Sequence, residues 1–247
     1  MPAASSASAS GPTLVSAHAD AAAFVARSVA RHGGAERWPR LRVTLAPKRL
    51  TGLLPRWKGV GHTFDLPATA DIEPARARAV FHDYPEPGSS GVFEAGRVAL
   101  GGDALAEHRS TFSGARKWRR WSPLDALYFF GYALTHYHAL PFTLAGAELR
   151  AWDARRRILT VAFPPSVHTH CAVQSIHFDD SGLILRHDYV AEIVGGWARG
   201  AHLWRDYVTV EGFPIATHRQ VLARLHRMAI PLVVLDARLE VAGVAFG

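Results

Sequence analysis

Fourteen histidines stand in a chain of 247 residues, several of them in its second half at spacings that could do chemistry. His168-x-His170 reads as the entry to a strand, where a spacing of two puts both rings on one face. With His187 or His202 on a neighbouring strand, such a pair could hold zinc or iron. No HExxH, HxE or cysteine pair accompanies them. The competing reading is rim or surface histidines satisfied by water and backbone, and the expectation is no metal and no cofactor. His136-x-His138 falls in a helical pattern, where a spacing of two turns the two rings to different faces.

His187-Asp188-Tyr189 is the next candidate. On a strand His187 and Tyr189 share a face while Asp188 points away. In a pocket His187 could act as acid and base with Tyr189 as donor. The alternative is a buried His and Tyr held by structural hydrogen bonds to a helix. His202, Trp204 and Asp206 form a third set on one face, either inward or an outer aromatic patch. Cys171 is alone, so no internal disulfide forms, and its neighbour His170 faces the opposite way on a strand. Gly33-Gly34 and Gly195-Gly196 lack the context of a phosphate-binding loop, and there is no GxSxG elbow. Residues 116–120, with Trp118 and Trp121, could stack on and neutralise an anion. The preferred reading is a solvated loop whose tryptophans seal a helix end. The net charge of +7 permits anionic partners without choosing among them.

These side chains need elements to position them. The strongest helix signal covers 122–140. Ser122 is an N-cap, Pro123 suits the first turn, Asp125 is the acidic residue three places on, and Pro141 is the stop. Apolar and aromatic residues surround this helix on nearly every side, so it is expected to be buried. At roughly 27 Å, with His136 and His138 inside it, it is too short and polar for a membrane span. Residues 1–16 are Ala/Ser-rich and expected to be disordered. A second helix is expected over 18–32, closed by Gly33-Gly34, with Phe24, Val25 and Val29 inward. Strands are expected at 41–45 and, irregularly, at 50–60, followed by a meander over 64–108. After the helix come strands near 147–153, 157–163, 170–178, 183–192, 199–210, 213–224 and 231–242. In 183–191 strict alternation puts Leu183, Leu185, His187, Tyr189 and Ala191 on one face. Short turns between successive strands make an antiparallel sheet, and no βαβ alternation supports a parallel one. No linker divides the chain, so residues 17–247 are expected to form a single domain.

Phe178-Asp179-Asp180-Ser181-Gly182-Leu183, continuing to Arg186-His187-Asp188, and later Asp206-Tyr207 with Gly212-Phe213-Pro214, resembles the closing hairpins of the LolA-like lipoprotein-carrier superfamily. The resemblance covers about fifty residues. It implies an α+β fold, mainly antiparallel β: a strongly curved sheet, an open half-barrel, with an N-terminal helix and a central helix covering or filling the concave face. It also implies an apolar cavity for an acyl chain or a similar ligand.

The expected function is therefore binding of a hydrophobic or amphipathic small molecule. Tyr128, Tyr132, His138, His187, Tyr189, His202 and Trp204 supply large apolar bodies with polar tips suited to orienting it. A cofactor-free enzyme using His187 and Tyr189 is the first alternative. Nucleic-acid binding through the Arg-rich loops is the second, although no nucleic acid is an obligatory partner. The first twenty residues lack a basic n-region and a long apolar core, so the expected location is the cytoplasm.

Overall fold

The structure is a computed structural model that describes residues 14–60 and 69–247. Helix α1 covers Leu14–Arg31, strand β1 Leu41–Thr51 and the short helix α2 Leu53–Lys58. Five short strands follow: β2 (Ala70–Glu73), β3 (Arg78–His82), β4 (Ser90–Glu94), β5 (Arg97–Leu100) and β6 (Ala106–Glu107). Helix α3 spans Pro123–Thr143. Then come β7 (Glu148–Asp153), β8 (Ile158–Ala162), β9 (Val173–Phe178), β10 (Ile184–Val190), β11 (Arg199–Val210), β12 (Phe213–Leu225) and β13 (Met228–Phe246).

All thirteen strands form one antiparallel sheet in the order β6-β5-β4-β3-β2-β1-β13-β12-β11-β10-β9-β8-β7. Two meanders run outward from a seam where β1 pairs with β13, from Leu41↔Phe246 to Thr51↔Asp236. The edges are β6 and β7, and the sheet does not close on itself. Helix α3 connects those two edges, so it must cross the concave face. This is the open half-barrel, α+β and mainly antiparallel.

Helix α3 starts where its sequence says it should. The Ser122 hydroxyl accepts from the Asp125 amide at 3.3 Å, and the Asp125 carboxylate accepts from the Ser122 amide at 2.8 Å. It ends later than expected. Pro141 lies inside the last turn, where it removes one bond near an end that already carries unpaired carbonyls, and the helix runs on to Thr143. Every residue but Pro123, Leu124, Leu134 and Thr143 is buried. The helix leans on the first meander, packing along β2–β5. A Cβ at Gly131 would collide with the side chain of Phe93 on β4, and Leu127 sits over Gly91.

Three expectations change. The segment 50–60 is not a second strand: β1 continues to Thr51, and a helical turn follows. Gly52 passes so close to β13 that a Cβ would lie 2.6 Å from the Val234 carbonyl, and Gly59 closes the turn in the left-handed region. Residues 14–16, expected to be disordered, belong to α1, while 1–13 and the 64–68 part of the expected meander lie outside the described residues. In β10 strict alternation fails. A bulge between Ile184 and Arg186 reverses the parity, so Ile184 is buried and Leu185 is 45% exposed, while His187 and Tyr189 still face inward.

The seating of α3 predicts two stabilities, to be read by denaturant titration. Leu127→Ala should cost about 2–5 kcal/mol as a core truncation. Gly131→Ala should destabilise even though alanine gains about 1 kcal/mol over glycine in a helix interior. A neutral or stabilising Gly131→Ala would show that the helix is not seated on Phe93.

Candidate functional site

Because α3 leans on one arm of the sheet, it stands away from the other. The gap is a cavity of about 480 Å³ between α3 and the sheet from β10 through β13 to β1. From α3 it is lined by Phe130, Ala133 and Tyr137, and from the sheet mainly by aliphatic side chains such as Val221, Leu235 and Leu239. Its entrance is framed by Leu53 and Trp57 of α2 and by Trp197. Trp197 stacks on Trp118 at 5.8 Å and both are more than half exposed, so an aromatic patch borders the opening. The inner face of β13 is apolar yet incompletely covered. Leu232 is 46% exposed and Val234 and Leu239 are half-buried, as expected where a sheet face meets a void.

One end of the cavity is polar, and the strand register builds it. His187 of β10 pairs with His202 of β11, which pairs with Val221 of β12; Trp204 pairs with Arg219 in the next inward row. Tyr189 pairs with Gly200, whose missing side chain leaves room for the phenol ring. The ring stacks on His170 at 3.8 Å and 9°. His170 lies between two hydroxyls, Tyr132 Oη 2.9 Å from Nδ1 and Tyr137 Oη 2.6 Å from Nε2. A neutral imidazole has one N–H and one lone pair, so one tyrosine donates and the other accepts.

Gln174 of β9 orients two more rings. Its amide nitrogen donates to Thr169 Oγ1 (2.7 Å) and to the Cys171 carbonyl (2.5 Å), which turns its oxygen toward His136 and His187. Both Nε2–H groups donate to that oxygen, at 3.2 Å from His136 and closer still from His187. The Nδ1 of each is left without a partner. Burial, the largest cause throughout, holds these rings neutral. It lowers His136 to about 4 and His138 to about 3. His170, His187 and His202 lie well below the usual imidazole value, with neighbouring histidines pushing the same way, joined by Arg109 at His170 and by Arg219 at His187 and His202. Burial also raises the Tyr132 and Tyr189 phenols far above theirs.

Of the side chains singled out from the sequence, Tyr189 and His202 line the cavity. The other five do not, which corrects their expected place. His187 and Tyr132 form the hydrogen-bonded layer behind it. Trp204 lies under Arg219. Tyr128 faces the first meander among Phe93, Phe112 and His108, because it lies on the side of α3 pressed to that arm. His138 donates back to the Leu134 carbonyl at 2.7 Å. His136 and His138 point apart, as their helical spacing requires.

His168 and His170 do not form a pair either. They lie in the loop before β9 rather than in a strand, and His168 packs against Gly96 and Phe93. Asp206 leaves the face of His202 and Trp204. Its left-handed backbone, φ 52°, breaks the alternation and turns the carboxylate to Arg238 outside. Among the described residues no three His, Cys, Asp or Glu side chains converge as a metal site would require. In the basic loop 116–120, Arg116 is committed to Asp125 at 2.8 Å. Although burial works the other way, the bond from His108 (2.8 Å), then the Ser122 amide and the Arg116 ion pair, hold the Asp125 carboxyl well below the usual range.

Sequence reasoning missed Tyr137, Gln174 and Arg219. Arg219 was legible in principle. It alternates with Ile215 and Val221 on the apolar side of β12, an unusual place for a cation.

The buried neutral histidines make stability acid-sensitive. Their folded-state pKa values lie below the unfolded value near 6.5. Between those values the unfolded chain binds more protons, so stability is complete above about pH 6.5 and falls with pH. His32, His136 and His138, lowered to about 4, 4 and 3, each contribute a slope of about 1.4 kcal/mol per pH unit in that window. Asp125, with its lowered pKa, acts only in stronger acid. Denaturant titrations at pH 7.5 and 5 check this, and equal stabilities would contradict the neutral buried set.

No protein-family model matches the chain, and no curated protein matches it. No helix among the described residues is long and apolar enough to cross a membrane. A solved LolA superfamily protein from Nitrosomonas europaea superposes with a TM-score of 0.50 at 8% identity, over 92% of this chain and 93% of that one. A DUF1329 family protein from Desulfovibrio piger superposes with a TM-score of 0.41 at 11% identity, over 92% of each chain. At such identity the first likeness concerns the fold alone, and it agrees with the half-barrel and central helix described above: the chain has a LolA-like fold.

Proposed function

We propose that residues 17–247 act as one unit that binds a hydrophobic or amphipathic small molecule, an acyl chain or a molecule of similar shape, in the cavity beside α3. The observation that carries this reading is the void of about 480 Å³, walled by aliphatic and aromatic side chains and open at one end. Its size falls within the range of about 300–1,000 Å³ of small-molecule sites. A sheet face left uncovered by its own helix supports an exchangeable occupant. Tyr189 and His202, with Tyr137, would orient that occupant.

The acid–base alternative finds less support. His187 lies behind the cavity wall with its Nε2 committed to Gln174, and Tyr189 is held neutral far above its ordinary range.

Displacement of a neutral fluorescent apolar probe by long-chain amphiphiles tests the reading. The parent should bind the probe, and Ala133→Phe, which projects a ring into the void, should weaken binding at least tenfold. Its melting temperature should stay close to the parent's, because the new ring enters empty space. A parent that takes up no apolar probe, or an Ala133→Phe variant that binds as the parent does, would refute a ligand cavity at this place.

A further inference from the structure

Arg219 is the one cation of the cavity set deep in its wall. It is only 4% exposed, yet no carboxylate pairs with it and no hydrogen bond reaches it among the described residues. Its Nε and Nη1 are buried without partners. The other arginines along the cavity are placed differently. Arg49 lies 3.8 Å from Asp236, Arg224 donates to the His226 carbonyl at 2.7 Å, and Arg199 is exposed.

Among the described residues, Trp204 and Tyr137 lie against it with their rings, the guanidinium carbon 3.8 Å and 5.5 Å from their centroids. Contact through ring faces leaves the N–H donors at the edge of a guanidinium uncommitted. His202 of the neighbouring strand also has both ring nitrogens buried and unpartnered. A buried charge without a counter-charge is costly, and so is a buried donor without an acceptor. Both costs fall in one place, at the polar end of an apolar cavity.

We propose that Arg219 and His202 receive the anionic head group of an amphiphile, so that the ligand enters head first and its apolar tail runs along β12, β13 and α3 to the tryptophan-framed opening. This rests on the cavity reading given above and specifies the chemical class of its ligand. The head group is a monoanion, and a carboxylate fits best. Arg219 carries a single charge, and its planar fork matches the two oxygens of a carboxylate. Neutral His202 adds one N–H. A dianionic phosphate monoester would leave a second negative charge unpaired inside the wall. Arg219, lowered by burial to about 10, remains charged at neutral pH.

The test compares hexadecanoate, hexadecanol and hexadecyl phosphate as competitors of a neutral fluorescent probe. The parent should prefer hexadecanoate to hexadecanol by at least tenfold, and to hexadecyl phosphate as well. Arg219→Gln should bring hexadecanoate and hexadecanol within about threefold, the loss falling mainly on hexadecanoate. Arg199→Gln, at the exposed end, should leave the preference intact. A second readout needs no ligand: Arg219→Met should melt higher than the parent, because it removes an unpaired buried charge. A parent indifferent to head-group charge would overturn the proposal, as would a preference that survives Arg219→Gln or disappears in Arg199→Gln. Preference for hexadecyl phosphate would overturn the carboxylate assignment. If no competitor and no probe binds, the cavity reading itself fails, and that result is distinct from a bound but undiscriminated set.

Discussion

The contact between Gly131 and Phe93 decides what the concave face can be. A helix apolar on all sides could lie midway between the arms of a curved sheet and fill it. Here the absent side chain at Gly131 lets the backbone of α3 press against β4, with Leu127 over Gly91 beside it. A cylinder about 10–12 Å wide that leans on one arm cannot pack along the whole of the other. The distance gained on the β2–β5 side is lost on the β11–β13 side, and the cavity is the result. Large residues on the second side of α3, among them Phe130 and Tyr137, therefore border the void, Tyr137 while its hydroxyl is held by His170.

That placement also governs the polar groups. A helix crossing the interior carries Tyr132, His136 and Tyr137 into a region without bulk water, and each needs a partner. The loop before β9 and the start of β9 provide them, through His170 and Gln174. The network is local to the edge where α3 nears the second meander, and its neutral rings suit a low-dielectric setting. Arg219 departs from this pattern. His136 and His187 leave one ring nitrogen each without a partner, whereas His202 leaves both and Arg219 leaves Nε and Nη1.

The mouth has a different character. Trp57, Trp118 and Trp197 gather around it from α2, the basic loop and the turn before β11. Lys58 ties the first two of these regions together, lying 3.8 Å from the Trp57 ring and donating to the carbonyls of Lys117 and Arg119. Burial lowers its pKa to about 8. The loop whose arginines suggested an anion site is thus partly a fastening of the cavity rim.

Much of the architecture was legible in the sequence because it depends on short-range chemistry. The capping box at Ser122 and Asp125, the all-round apolar surface of α3, the Asp179–Gly182 and Glu211–Gly212 turns and the period-two strands each act within a few residues. Together they specified an antiparallel sheet with one interior helix, and the hairpin resemblance supplied the half-barrel. Alternation also put His187 with Tyr189 on one face and His202 with Trp204 on one face, and the folded sheet turned both faces inward. The alternation failed where one residue changes the parity, at the bulge after Ile184 and at the left-handed Asp206. Which of the inward side chains would meet a cavity was not legible, because that is set by the distance between α3 and each arm. The helix has aromatic residues on both sides, and only the tertiary contact at Gly131 chose Tyr137 over Tyr128 to face the void. Arg219 shows the same division. Its type and parity were written in the chain, but its lack of a partner is a property of every element packed around it, and only the folded structure decides that.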